Sequence, residues 1–164
     1  MSDLTTLDDI RQARARLPAD VRRTPIAALA RDSAEVGCER LFLKLENMQV
    51  TGAYKIRAAF NMLQSLSPEQ RARGAIMSSS GNFAQAFAYA GKTMGVPIAV
   101  VMLDRTSPYK VAATKGYGAE VVFCGNDALA RQPAVERMAK ERGMTAIDSW
   151  EERQIADGNG SIGL

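Results

Sequence analysis

Histidine is absent from the 164 residues, and with it goes every role that imidazole usually takes. Ser-His-Asp hydrolysis, Cys-His proteolysis, His-ligated metals and imidazole acid-base chemistry are excluded within this chain. Any catalysis must use Lys, Tyr, Ser, carboxylates or a cofactor. The only two cysteines, Cys38 and Cys124, form neither a CxxC nor a zinc pattern, so they read as structural thiols in a reducing compartment, and no metal site is expected. Long apolar runs are lacking as well: the longest, residues 96–103, is too short to cross a bilayer. The start of the chain mixes Asp3, Asp8 and Asp9 with Arg11, Arg14 and Arg16 and has no signal-peptide apolar region. A cytoplasmic protein without a membrane partner is the expectation. Charge of one sign is also scarce. Lys plus Arg number 21 against 18 for Asp plus Glu, and the resulting +3 is too small and scattered for the basic stripe of a nucleic-acid binder.

What is present is a hydrophobic content of 46%, enough for one domain of ordinary size. Leu7, Ile10 and Leu17 recur at helical spacing up to Pro18, with Asp8 and Asp9 at the favourable end, which predicts an opening helix. After Thr24-Pro25, an extended entry, residues 28–35 form a second helical candidate and residues 40–46 a strand. From there helices over 54–66, 82–94, 107–117 and 127–141 alternate with strands over 75–78, 97–103, 119–123 and 145–147. That rhythm predicts an α/β fold with an open parallel sheet and helices on both faces. Gly74, Gly95, Gly118 and Gly143 are expected to close helices at positive φ.

Three places can carry chemistry. Lys55 heads the stripe Ala59, Met62 and Leu66, at i, i+4, i+7 and i+11 of a helix. Desolvation and the positive helix end both disfavour its ammonium form, as a Schiff-base lysine requires; the alternative is a lysine snorkelling past the core edge. The loop Ser78-Ser79-Ser80-Gly81-Asn82 joins a strand to an Ala-rich helix, where free N–H groups bind anions, unless Ser or Asn merely caps the helix. Asp157-Gly158-Asn159-Gly160-Ser161 reads as a loop, or as a turn that approaches phosphate, though it lacks the P-loop lysine.

Taken in order, these pieces resemble the fold-type II pyridoxal-phosphate enzymes, in the threonine/serine dehydratase and serine racemase branch. Lys44-Leu45-Glu46-Asn47 and Thr51-Gly52-Ala53-Tyr54-Lys55-Ile56-Arg57 resemble the family's "KxExxxxTGSFKxRGA" segment. Ser79-Ser80-Gly81-Asn82-Phe83-Ala84-Gln85-Ala86 resembles its "SSGNHxQ" loop. Tyr117-Gly118-Ala119-Glu120-Val121 and Gly158-Asn159-Gly160-Ser161 are similar to its "YGAxV" and "GQGT" elements. The resemblance runs from about Arg23 to the last residue. It implies that Lys55 holds pyridoxal 5'-phosphate and moves the substrate α-proton. It also implies that Asn82 bonds the pyridine-ring hydroxyl, and that Ser79, Ser80, Gly81, Asn82 and Gln85 surround the carboxylate of a small amino-acid substrate. The implied activity is a lyase reaction: β-elimination of a hydroxy amino acid such as threonine or serine to a 2-oxo acid and ammonia.

Three positions depart from the pattern. Phe83 stands where the family has His, Ala58 replaces the Gly of "RGA", and Asn159 replaces the Gln of "GQGT". They suggest a side branch with a different β-substituent, such as a dehydratase of hydroxyectoine catabolism. Ser80 occupies the position whose hydroxyl serves the opposite face of the substrate in serine racemases, which keeps amino-acid racemisation as an alternative.

The resemblance further divides the chain. Residues 1–48 are expected to belong to a large domain, 49–147 to a small α/β domain, and 148–164 to the start of the return into the large domain, where the chain looks cut. The phosphate-cradling glycine loop and the partner of the pyridine nitrogen are expected beyond Leu164. Exposed apolar surface along the first and last helices then predicts self-association, with a homo-oligomer the expected assembly. Two other readings compete: a catalytically silent domain that binds a small carboxylate or a partner chain, and a nucleotide-binding doubly wound domain, for which no Gly-rich phosphate turn is present.

Overall fold

The structure of the protein, a computed structural model, describes residues 4–29, 37 and 40–164. Helix α1 (Leu7–Arg16) opens on a capping box in which Thr6 and Asp9 satisfy each other's backbone N–H groups. Strands β1 (Ile26–Leu29) and β2 (Leu41–Lys44) then pair antiparallel, with Ala27 opposite Leu43. This corrects the helix expected over 28–35: Ala28 and Leu29 lie in β1, because β2 supplies a ladder of hydrogen bonds that local helix preference cannot match. The rest of that segment, and Cys38, lie outside the described residues.

A four-stranded parallel sheet of order β5-β4-β3-β6 follows, made of β3 (Ala75–Ser78), β4 (Ile98–Met102), β5 (Glu120–Phe123) and β6 (Thr145–Ile147). Its two inner strands are buried on both faces. Ala75, Met77, Ile98, Val100 and Met102 pack into one core with helices α2 (Lys55–Ser65) and α4 (Asn82–Met94). Ile76, Ala99 and Val101 face the other side, against Ala134, Val135 and Met138 of α6 (Arg131–Arg142). The period-two alternation of strand side chains thus places helices on both faces, as expected. Helix α5 (Pro108–Gly116) lies beside α4, and Gly74, Gly95, Gly118 and Gly143 all take the positive φ expected of them. Cys124 is half-buried with its thiol toward Met102 O, and burial pushes that thiol up. No described helix is long and apolar enough to cross a membrane.

Two further elements differ from expectation. A short helix α3 (Pro68–Arg73), opened by a Ser67–Gln70 capping box with Pro at its first position and closed by Gly74, stands between the expected helix over 54–66 and β3; it is too short to show an apolar stripe. More consequentially, the segment expected to be a loop or a phosphate-approaching turn is α7 (Arg153–Gly160), followed by a 3-10 turn over Ser161–Gly163. Its glycines serve packing. A Cβ on Gly158 would sit 2.7 Å from Ala58 Cα and 2.7 Å from Arg57 O, so α7 lies directly on the backbone of α2. Asn61 Nδ2 also donates to Gln154 O at 2.7 Å, tying the two helices along their length.

Candidate active site

Lys55 is the first residue of α2, whose start carries no side-chain cap. Ala59, Met62 and Leu66 below it are buried, so the apolar stripe read from the spacing is real, and Lys55 stands at its rim. The side chain is half-buried, which the snorkelling alternative also allows, and its Nζ sits beside two aromatic rings. It lies 4.8 Å from the centroid of the Tyr54 ring and 5.8 Å from that of Phe83, where the ring faces attract a cation. Among the described residues no carboxylate pairs with it. Thr51 Oγ1, four residues earlier, is buried without a hydrogen-bond partner.

The lysine faces an open cavity of about 280 Å³ shared with Ser78, Ser79, Ser80, Phe83 and Arg131, and lined further by Ser149, Trp150 and Ile155. The serine loop leaves the carboxyl end of β3, as sites in open α/β sheets do. Ser79 N donates to Val101 O at 3.2 Å, and Gly81 N donates to Ser79 Oγ at 3.3 Å. Gly81 is the N-cap of α4 and makes no side-chain cap bond. Neither Ser nor Asn caps the helix, so the capping alternative is not realised, and the helix start stays open toward an anion.

The cavity therefore joins Lys55 with Ser79 and Ser80, but it does not gather every residue singled out in the sequence. Gly81 and Gln85 are half-buried and Asn82 is exposed, and none of the three lines it. Arg131, Ser149, Trp150 and Ile155, which sequence reasoning missed, do line it. Arg131, at the start of α6, has its Nε on Ala128 O at 3.3 Å and adds a second cation. Trp150, the single tryptophan of the chain, is 93% exposed in the turn after β6. An isolated Trp amid Asp148, Ser149 and Glu151 was a readable signal; Arg131 had none, because only the crossover through α6 brings it here.

Behind the lysine, Arg57 and Glu46 form a buried ion pair. Thr24 donates to the same carboxylate at 2.6 Å. Arg57 also reaches Ser161 Oγ at 3.4 Å, and Ser161 in turn donates to Gly158 O at 2.6 Å. The Gly158-Asn159-Gly160-Ser161 segment thus braces α2.

A primary amine with no carboxylate partner among the described residues, two serine hydroxyls and an arginine around one cavity, next to an uncapped helix start, form a donor set that suits an aldehyde bearing an anionic group. The comparisons agree. The family described as pyridoxal-phosphate dependent enzymes matches residues 17–164. A catabolic L-threonine dehydratase, TdcB, of Staphylococcus aureus is 38% identical over 161 residues, which are 98% of this chain and 46% of that protein. The chain thus spans about half the length of the curated relatives it matches. Among solved structures, maize serine racemase superposes with a TM-score of 0.87 at 34% identity, covering 95% of this chain and 48% of that one. The serine racemase of Dictyostelium discoideum gives 0.88 at 32%, covering 96% and 51%.

Proposed function

The chain belongs to the family of pyridoxal-phosphate dependent enzymes, and from that premise we propose that it carries the cofactor lysine and one wall of the substrate site of a β-eliminating ammonia-lyase. The substrate class is a small hydroxy amino acid such as threonine or serine, and the products are a 2-oxo acid and ammonia. The observation that carries the proposal is the single cavity shared by Lys55 and the serine loop. Lys55 would hold the cofactor through Nζ and move the proton at the substrate Cα. Ser79, Ser80 and the N–H groups at the start of α4, with Gly81 and Gln85, hold the carboxylate. Asn82, at the first turn of the same helix, would hold the cofactor ring. Phe83 and Ile155 give the cavity beside the lysine its apolar wall. Pyridoxal phosphate supplies the electron sink that makes the Cα proton acidic. Racemisation is the second reading, favoured by Ser80 lining the same cavity as Lys55.

Treating the chain with pyridoxal phosphate and then borohydride gives, on this reading, a mass adduct that maps to Lys55. It disappears in Lys55→Ala, which keeps the wild-type circular dichroism. An adduct that persists in that variant removes the assignment, and a folded wild-type chain that takes up no cofactor supports the silent-domain reading instead.

In this proposal residues 49–147 make the small domain, while 1–48 and 148–164 belong to a second one. Support comes from the separate two-stranded sheet β1-β2, which exposes Ile26, Phe42 and Leu43. An isolated ribbon of this kind is marginal in water, and a neighbouring depression of about 600 Å³ is lined by Arg14, Arg22, Arg23, Lys44 and Arg57. Self-association through this face is expected, with light scattering giving a mass of at least twice 17.7 kDa; a monomer at tens of micromolar removes the homo-oligomer.

A further inference from the structure

Thr106 lies in the turn after β4, anchored by its backbone N–H on Leu103 O at 2.9 Å. Its hydroxyl donates to Ser80 Oγ at 2.9 Å. Ser80 lines the cavity that Lys55 faces and Thr106 does not, so the contact comes from behind the site. A serine hydroxyl has one proton and two lone pairs. With one lone pair of Ser80 taken by Thr106, the hydroxyl is held against rotation and its own proton is left for a group in the cavity. Ser79 differs, because its Oγ is engaged by Gly81 N inside the loop itself. Ser80 is therefore the serine whose orientation is set from another element, by a residue that no motif marks.

We propose that Thr106 is a positioning residue for carboxylate recognition, holding Ser80 so that its O–H donates to a carboxylate seated at the start of α4. The inference rests on the proposed reading of the serine loop as the carboxylate site. Thr106 is half-buried at a turn, and valine replaces it with nearly the same shape but no hydroxyl. Losing one such oriented hydrogen bond weakens binding about threefold to tenfold.

The test uses the 164-residue chain, nitrogen-15 labelled and titrated with sodium acetate at fixed ionic strength, with the amide shifts of residues 79–83 followed by NMR. Thr106→Val and Thr106→Ala bind acetate about threefold to tenfold more weakly than wild type, while Thr106→Ser, which keeps the hydroxyl, recovers the wild-type affinity. A purely structural role does not predict that recovery. Equal affinities in wild type, Val and Ala variants overturn the role of Thr106 and leave the lyase reading standing. A wild-type chain with no saturable shift in the loop overturns the carboxylate reading, and the role of Thr106 with it.

Discussion

Replacing Glu46 by Ala costs the fold about 3–5 kcal/mol, measured as a fall in the urea midpoint at unchanged slope. Glu46 Oε1 accepts from Arg57 Nη2 at 2.8 Å and from Thr24 at 2.6 Å, and Oε2 accepts from Arg57 Nε at 2.9 Å and from Gln49 at 3.3 Å. The two charged side chains are only 10% and 7% exposed. Removing the carboxylate strands a largely buried guanidinium without its counter-charge, and the penalty is that of the orphaned charge. Replacing both partners together, Glu46→Leu with Arg57→Met, costs far less, because a buried ion pair and an apolar pair of similar volume are close in free energy. The double-mutant cycle therefore shows strong coupling; a loss below about 1 kcal/mol in Glu46→Ala contradicts this.

The same contacts set a pH dependence. Burial pushes the Glu46 carboxyl up, but the hydrogen bonds from Arg57 and Thr24, with the positive charge of Arg57, outweigh it and hold the group below its ordinary value. A carboxyl depressed in the folded state contributes stability that is present above its unfolded pKa and is lost as pH falls through the folded one. Acidification below the ordinary carboxylate range therefore destabilises the wild type, and Glu46→Gln flattens that part of the curve. Arg57 lies two residues after Lys55, so loosening this pair also frays the helix end that presents the lysine.

Gly158→Ala destabilises the protein by about 1–3 kcal/mol, although alanine is favoured over glycine in a helix interior by about 1 kcal/mol. The new Cβ meets Ala58 Cα and Arg57 O at 2.7 Å and Ala58 N at 3.0 Å, all backbone atoms that cannot rotate aside. Trimming Ala58 to glycine does not rescue the variant, since the Cα remains. Gly116 in α5 is the contrast: it has negative φ and no neighbour within 4 Å of a built Cβ, so Gly116→Ala is neutral or stabilising. The melting temperature falls for Gly158→Ala and is unchanged or raised for Gly116→Ala, and a stable Gly158→Ala contradicts the packing. The clash also reaches the site, because α7 carries Ile155, part of the cavity wall, and its displacement lowers the yield of the Lys55 adduct.

Those two helices show where the sequence stops being readable. The segment from Asp157 to Ser161 is glycine-rich, and local preference alone makes it a turn; it is helical because its glycines let two backbones touch, a benefit only the assembled fold supplies. Ala28 and Leu29 likewise join a strand whose partner lies more than ten residues on. Periodicity and the helix-closing glycines, by contrast, express local sterics and a one-sided core. They placed β3, α4 and β6 at their observed bounds and set Lys55 at the rim of its apolar stripe.

By itself the sequence determined the α/β alternation, which is written in short-range spacing, and the family, which is carried by its motifs. The tertiary structure alone decided that Arg131 and Trp150 share their cavity, that Thr106 stands behind Ser80, and that Gly158 and Arg57 brace the lysine helix. Each of those contacts joins residues far apart in sequence, and such a meeting is set by how the helices and strands pack.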